Sequence, residues 1–160
     1  MRNLTISNMK TETSEHASEI LNDLLKINND RIEGYKKAIK ETEEEDLKTL
    51  FEEMEEESEE HANKLAREIA SLGGKPAVDS TTNPGKIYRA WMDVKATFNG
   101  KDRKGILNAC EFGEDAAQTA YKSALSHDDL PLSIKALIKS QQIELKLSHD
   151  SIKALRDRAK

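Results

Sequence analysis

The sequence predicts an all-α four-helix bundle whose second and third helices are joined by a long crossover. Three observations predict it. Of 160 residues, 34% are charged, mostly Glu and Lys, aromatics make up 4%, and there are only 7 Gly and 3 Pro, a composition that suits helices and not sheets. Apolar residues recur at steps of three and four in four long stretches. The connections between those stretches run short, long, short.

Residues 1–13 are polar and aperiodic, rich in Thr, Ser and Asn, and read as a flexible N-terminal tail. Residues 14–160 read as one domain. The first helix runs from about Ser14 to Thr42, with Ile20, Leu21, Leu24, Ile27, Asn28, Ile32, Tyr35 and Ile39 on one face. The second runs from about Asp46 to Leu72. Its stripe of Leu47, Phe51, Met54, Ser58, His61, Leu65, Ile69 and Leu72 alternates steps of four and three, which is the seam of a bundle. The segment LGGKP ends it: Gly73 and Gly74 suit a left-handed cap, and Pro76 blocks continuation. The third helix runs from about Asp102, in N-cap position, to Leu125. After the turn SHDDLP, Pro131 opens a fourth helix over roughly 131–157, with Ile134, Ile138, Gln141, Leu145, Ser148, Ile152 and Leu155 on its seam.

Residues 73–103 are too many to stay structureless in a compact domain. Pro84 suits a first helical turn, and Ile87, Tyr88, Trp91, Val94 and Phe98 recur at helical spacing until Asn99-Gly100. A short helix within the crossover is therefore expected, laying Tyr88, Trp91 and Phe98 on the bundle. Helices of about 25 residues are roughly 38 Å long, a distance this connection can span. Short loops at either side and one long crossover between the second and third helices make the ferritin-like connectivity.

The net charge of −5 argues against nucleic acid as a partner. A single cysteine, Cys110, excludes an internal disulfide and suits a reducing cytoplasm. The N-terminus has no apolar signal region and no stretch is apolar enough to span a membrane, so a soluble cytoplasmic protein is expected. Other copies of the chain, as a homo-oligomer, stay open as partners.

Halfway along each helix the seam turns polar. Asn28 and Arg31 lie there on the first helix, Ser58 and His61 on the second, and Glu111 and Glu114 on the third. Gln141, Glu144, Ser148 and His149 lie there on the fourth. Burying an unpaired amide or hydroxyl costs about 1–3 kcal/mol, and a lone carboxylate costs more. Glu114 therefore needs a partner, a proton or a metal.

Three readings stay open. In the first, Glu111, Glu114 and His61, completed by Glu144, Gln141 or His149, bind iron or manganese as bundles do. The full di-iron pattern takes a Glu from each of two helices and Glu-x-x-His from the other two. Here Ser58 stands where the second helix needs its Glu, and Lys146 stands three residues before His149. Asp30 and Glu33 point away from the seam of the first helix. In the second reading Glu114 pairs with Arg31 or His61, and Asn28, Ser58 and Gln141 close a metal-free network that fixes helix register. That protein is a non-catalytic bundle that works through its surface. In the third the helix phases are off by one position and Glu114 sits at an edge.

The stretches GKDRKGILNACEFGEDAAQTAYKSAL and HDSIKALRD resemble an uncharacterised bacterial family of ferritin-like four-helix-bundle proteins, classed as a domain of unknown function. NDLLKINNDRIEGYKKA and SLGGKP are similar to it too. The resemblance covers roughly residues 18–157 and is most specific at Glu111, at Gly113-Glu114-Asp115 and at His149-Asp150. It implies a ferritin-like fold. Rubrerythrins and ferritins, more distantly similar, add an analogy: rubrerythrins place two Glu three residues apart on the third helix. That analogy makes Glu111 and Glu114 ligands and any enzyme here an oxidoreductase.

Other features have plainer readings. Residues 41–60 hold twelve acidic side chains and one Lys, the solvated face of a helix with acids near its N-terminus. Cys110 lies on a seam as a small hydrophobe. His16 and His127 fall in end regions and receive no role. Gly34 and Gly113 mark close approach of helices. No Gly-rich phosphate loop, Cys-x-x-Cys or nucleophile triad is present.

Overall fold

A computed structural model describes residues 2–78, 80 and 102–159, with side chains from residue 12 onward. Among the described residues the chain forms four helices and no strand: α1 Arg2–Glu41, α2 Glu45–Ser71, α3 Arg103–Leu125 and α4 Leu132–Arg158. None of them is long and apolar enough to cross a membrane. The crossover helix expected from Tyr88, Trp91 and Phe98 lies outside the described residues.

The helices start and stop within a residue or two of their expected bounds, except at the N-terminus. There α1 begins at Arg2, so the residues read as a tail continue the same helix. Thr, Ser and Asn have modest helix propensity, but neither Gly nor Pro interrupts residues 2–33. Extending a helix that is already nucleated costs little per residue.

Helix α1 packs along α2, α3 along α4, and α1 also meets α3. At the start of α3, Arg103 reaches back to the α1–α2 turn, donating from Nη1 to Glu44 at 2.7 Å and from Nη2 to Asp46 at 2.8 Å. The third helix thus starts at the same end as the second, and the connection between them has to travel the bundle's length. This is the ferritin-like arrangement. Asp102 holds the N-cap position of α3 without a side-chain cap bond; its carbonyl accepts from Ile106 N–H at 2.9 Å.

The exit from α2 is fixed by its glycines. Gly73 takes a left-handed φ of 83°, and Gly73 and Gly74 donate to the carbonyls of Ala70 (3.0 Å) and Ile69 (2.9 Å), the paired bonds of a Schellman cap. A Cβ on Gly74 would fall 2.7 Å from Ser18 Oγ, so the chain passes hard against α1 there. The connection then follows the flank of α1. Asn22 accepts from Ala77 N–H at 2.9 Å, and Asn29 donates to the carbonyls of Ala77 and Ser80 at 3.1 and 2.7 Å. That flank also holds Asp30, which helical phase turns away from the seam but which the fold buries.

The apolar core is in two parts. One gathers Leu21, Leu24, Leu25, Leu65, Ile69, Ile134, Ile138 and Leu145 with their neighbours; the other gathers Tyr35, Leu47, Phe51, Met54, Ile106, Leu107 and Ile152. Between them lies a polar waist.

Candidate functional site

Two hydrogen-bonded circuits cross the waist, each touching all four helices. In the first, Asn28 on α1 donates to the hydroxyl of Tyr121 on α3 at 2.8 Å. That hydroxyl donates to Gln141 Oε1 on α4 at 2.8 Å, and Gln141 Nε2 donates to the carbonyl of His61 on α2 at 3.2 Å. Asn28 Nδ2 also ties back to the Leu24 carbonyl at 2.9 Å.

The second circuit is ionic. Arg31 Nε donates to Glu114 Oε1 at 2.8 Å, and both side chains are 0% exposed. Arg31 Nη1 meets three groups of α2: Ser58 Oγ at 2.7 Å, the Met54 carbonyl at 3.1 Å and the Glu57 carboxylate at 3.0 Å. Glu57 in turn accepts from Ser148 Oγ on α4 at 3.0 Å. Tyr35, one turn beyond Arg31, donates its hydroxyl to the same Glu114 Oε1.

The charges are set by position. Burial pulls the Arg31 pKa down, but Glu114 and Glu57 outweigh it, so the net shift is upward and the guanidinium stays charged. Burial, and then Glu114, push the Tyr35 phenol well above its ordinary value, which keeps it a donor. Burial lifts the Tyr121 phenol too. Cys110 is buried beside the waist, and burial followed by Glu114 raises its thiol, which favours the protonated form.

His61 differs. Burial holds its pKa below the ordinary 6.5 against the opposing pull of Glu144. The neutral ring donates from Nε2 to Glu144 Oε2 at 2.7 Å, because a carboxylate only accepts. A groove of about 220 Å³ between α2 and α4 opens onto Glu57 and Glu144, so this side of the waist faces solvent. Inside, among the described residues, Asn28 Oδ1, Arg31 Nη2, His61 Nδ1 and Glu114 Oε2 have no hydrogen-bond partner.

The residues read from sequence as one ligand set fall in three places. Glu114 is held by Arg31, and His61 is paired with Glu144. Glu111 and His149 lie together on the α3–α4 flank with Asp115, a residue that the sequence marks as part of the resemblance but not as a ligand. His149 Nε2 is 2.5 Å from Asp115 Oδ1 and its Nδ1 is 3.0 Å from Asp150 Oδ1. One ligand atom each from Glu111, Asp115 and His149 lies within 4.8 Å of the others. Arg156 also pairs with Glu111.

Whether this chain can house a ferritin-like metal pair turns on its donors. At the waist the cation beside Glu114 is a guanidinium, Glu57 and Glu144 are turned to Arg31 and His61, and among the described residues the paired imidazoles of the pattern are missing. Orphaned Oε2 and Nδ1 atoms leave acceptors for a small guest, but the donor set does not fit two metal ions. Among the described residues, three-ligand groups of carboxylate and imidazole occur at two places, neither at the waist. The flank trio, two carboxylates and one imidazole, is a donor set for one hard or borderline divalent ion.

The sequence reading also missed Tyr35, Tyr121 and Glu57 as members of the waist. Tyr121 lies seven residues beyond Glu114, two turns along the same seam, and that spacing is the signal that could have found it.

The chain resembles a solved structure of a mutant of Dps1 from Mycobacterium smegmatis. The TM-score is 0.73 over 91% of this chain and 97% of that chain, at 17% identity, a likeness of fold. A family model described as a domain of unknown function, DUF2383, matches residues 16–127. No curated protein matches the chain.

Proposed function

The chain belongs to the DUF2383 family, and we propose that it is a metal-binding member of the ferritin-like class. On this reading it takes one iron or manganese ion at Glu111, Asp115 and His149, while the waist serves as a structural lock. The observation that carries this is the setting of His149. Its Nε2 faces Asp115, a ligand atom of Glu111 lies within 4.8 Å of the pair, and Asp150 accepts from its Nδ1 and fixes the ring, as carboxylates do behind metal-bound histidines. When bound, the metal would supply Lewis-acid or redox chemistry. The chain's own contribution is to orient His149 through Asp150 and to hold Glu111 through Arg156 until a stronger cation displaces it. The acidic face over residues 41–60 raises the local concentration of cations. The buried thiol and the lack of any other cysteine suit a reducing cytoplasm.

Manganese and ferrous iron binding to the purified protein tests this. About one ion per chain is expected, lost in His149→Ala and in Asp115→Asn and kept in Glu114→Gln. Retention of the metal in folded His149→Ala, or its loss only in Glu114→Gln, rejects the flank site.

A second reading is a metal-free bundle that works by association with further copies. Ile143 and Leu147, one turn apart on α4, are 52% and 64% exposed, which favours it. Ile143→Glu with Leu147→Glu would then lower the mass seen in sedimentation, whereas unchanged sedimentation removes this reading.

A further inference from the structure

Far from the α1–α2 turn, α1 passes beside the turn that joins α3 to α4. There His16 Nε2 lies 3.2 Å from Asp129 Oδ2. The rings of His16 and His127 meet edge to face, with centroids 5.2 Å apart. One ligand atom from each of these three side chains lies within 4.8 Å of the other two. We infer that His16, His127 and Asp129 form a second metal site, for a borderline-soft divalent ion such as zinc, that clamps α1 to the α3–α4 turn.

The donor chemistry separates this site from the flank. Two imidazole nitrogens and one carboxylate oxygen favour zinc and its neighbours in the transition series over manganese or magnesium. Zinc–nitrogen and zinc–oxygen bonds of about 2.0–2.2 Å put adjacent tetrahedral ligands roughly 3.4 Å apart. The His16–Asp129 pair, at 3.2 Å, is close to that spacing, and a ligand atom of His127 lies within 4.8 Å of both. Three protein ligands leave a fourth position for water.

The supports beneath the three ligands are packed into the bundle. Ala17 and Ser18, next along α1, are buried, and Ser18 is pressed against Gly74. Leu130 and Ile134 anchor the far side of the turn in the core. The ligands therefore project from two packed pieces of backbone that are remote in sequence, and binding here ties the piece before the crossover to the piece after it. Because zinc would bind the folded arrangement and not the separated strands of an unfolded chain, it stabilises by mass action.

Zinc alone, titrated into the full chain, is the probe. The wild type should bind zinc, and its melting temperature should rise with zinc concentration. His16→Ala and His127→Ala, which remove ligands from different pieces, should each weaken binding by at least about tenfold and abolish the rise in melting temperature. Asp129→Asn, which keeps nearly the same shape, should weaken it too, and each loss should persist in a His149→Ala background, which removes the flank ligand. Cobalt in place of zinc should give the strong visible absorption of a four-coordinate ion. Circular dichroism of each metal-free variant shows that it has folded. The inference is overturned if folded His16→Ala and His127→Ala bind zinc as the wild type does. It is also overturned if zinc binding disappears in His149→Ala alone, or if the wild type melts at the same temperature with and without zinc. Each outcome leaves the reading of the α3–α4 flank to its own manganese and iron test.

Discussion

Glu111 and Glu114 stand one turn apart on α3 and meet opposite fates. Glu114 is sealed at the waist, where a guanidinium from α1 and a phenol one turn on share a single oxygen. Glu111 sits at the edge of the same helix, where Arg156 of α4 reaches it from solvent and Asp115 and His149 gather beside it. The difference teaches that a carboxylate on a bundle seam is not by itself a ligand. Glu114 has a permanent counter-ion supplied by the chain, so its charge is already answered. The counter-ion of Glu111 is a quarter-exposed arginine, which on the proposed reading a divalent ion displaces. On that proposed reading, structure and chemistry are divided between two acids of one helix.

The largest effect should come from removing the buried cation. Arg31→Met leaves Glu114 and Glu57 without their charge partner and frees Ser58 Oγ and the Met54 carbonyl. Breaking one partner of a buried pair costs about 3–5 kcal/mol, to be read from urea unfolding at constant slope. Replacing both partners, as in Arg31→Met with Glu114→Leu, should restore much of that loss, because neither charge is then stranded. Arg156→Gln, which strips the partner from Glu111 instead, should cost no more than about 1 kcal/mol. Equal losses at the two positions would erase the contrast between waist and flank.

A smaller effect should follow at the neutral circuit. Tyr121→Phe keeps the ring in the core but leaves Asn28 and Gln141 without the hydroxyl that joins them. Stranding such buried groups costs about 1–3 kcal/mol, again read in urea. A variant as stable as the wild type would mean that the circuit is ornamental to the waist.

These members show what the sequence could and could not disclose. Helical phase was enough to find Asn28, Arg31, Ser58, Glu114 and Gln141, since a polar residue on an otherwise apolar stripe declares itself. Tyr35 and Tyr121 stayed hidden because a phenol reads as part of the stripe, and only its tip is polar. Glu57 was lost among twelve acids on one solvated stretch. Phase also fixes only angle about one helix. It put Glu111, Glu114 and His61 at one height, but which neighbour each meets depends on how the four helices turn toward one another. That turn sends Glu114 to Arg31 and Glu111 to the α3–α4 flank. Pairings between remote segments, such as His16 with Asp129, follow from the crossover and leave no local pattern.

The mildest test concerns acid and the α2 side of the waist. Burial holds His61 below its ordinary 6.5 in the folded chain, whereas the unfolded chain keeps the ordinary value. Between those two values the unfolded state binds more protons than the folded one. Stability contributed by the neutral ring is therefore complete above 6.5 and falls as pH drops toward the folded value, below which both states are charged and no further change arises. His61→Gln should keep a donor for Glu144 while removing the titration. Urea midpoints of the two proteins, followed downward from neutral pH, should then diverge, with the wild type losing more than the variant. If the ring were instead held as an imidazolium by Glu144, the sign would reverse and the wild type would gain on the variant as acid is added. The direction of that divergence reports whether desolvation or the carboxylate governs the α2 side of the waist.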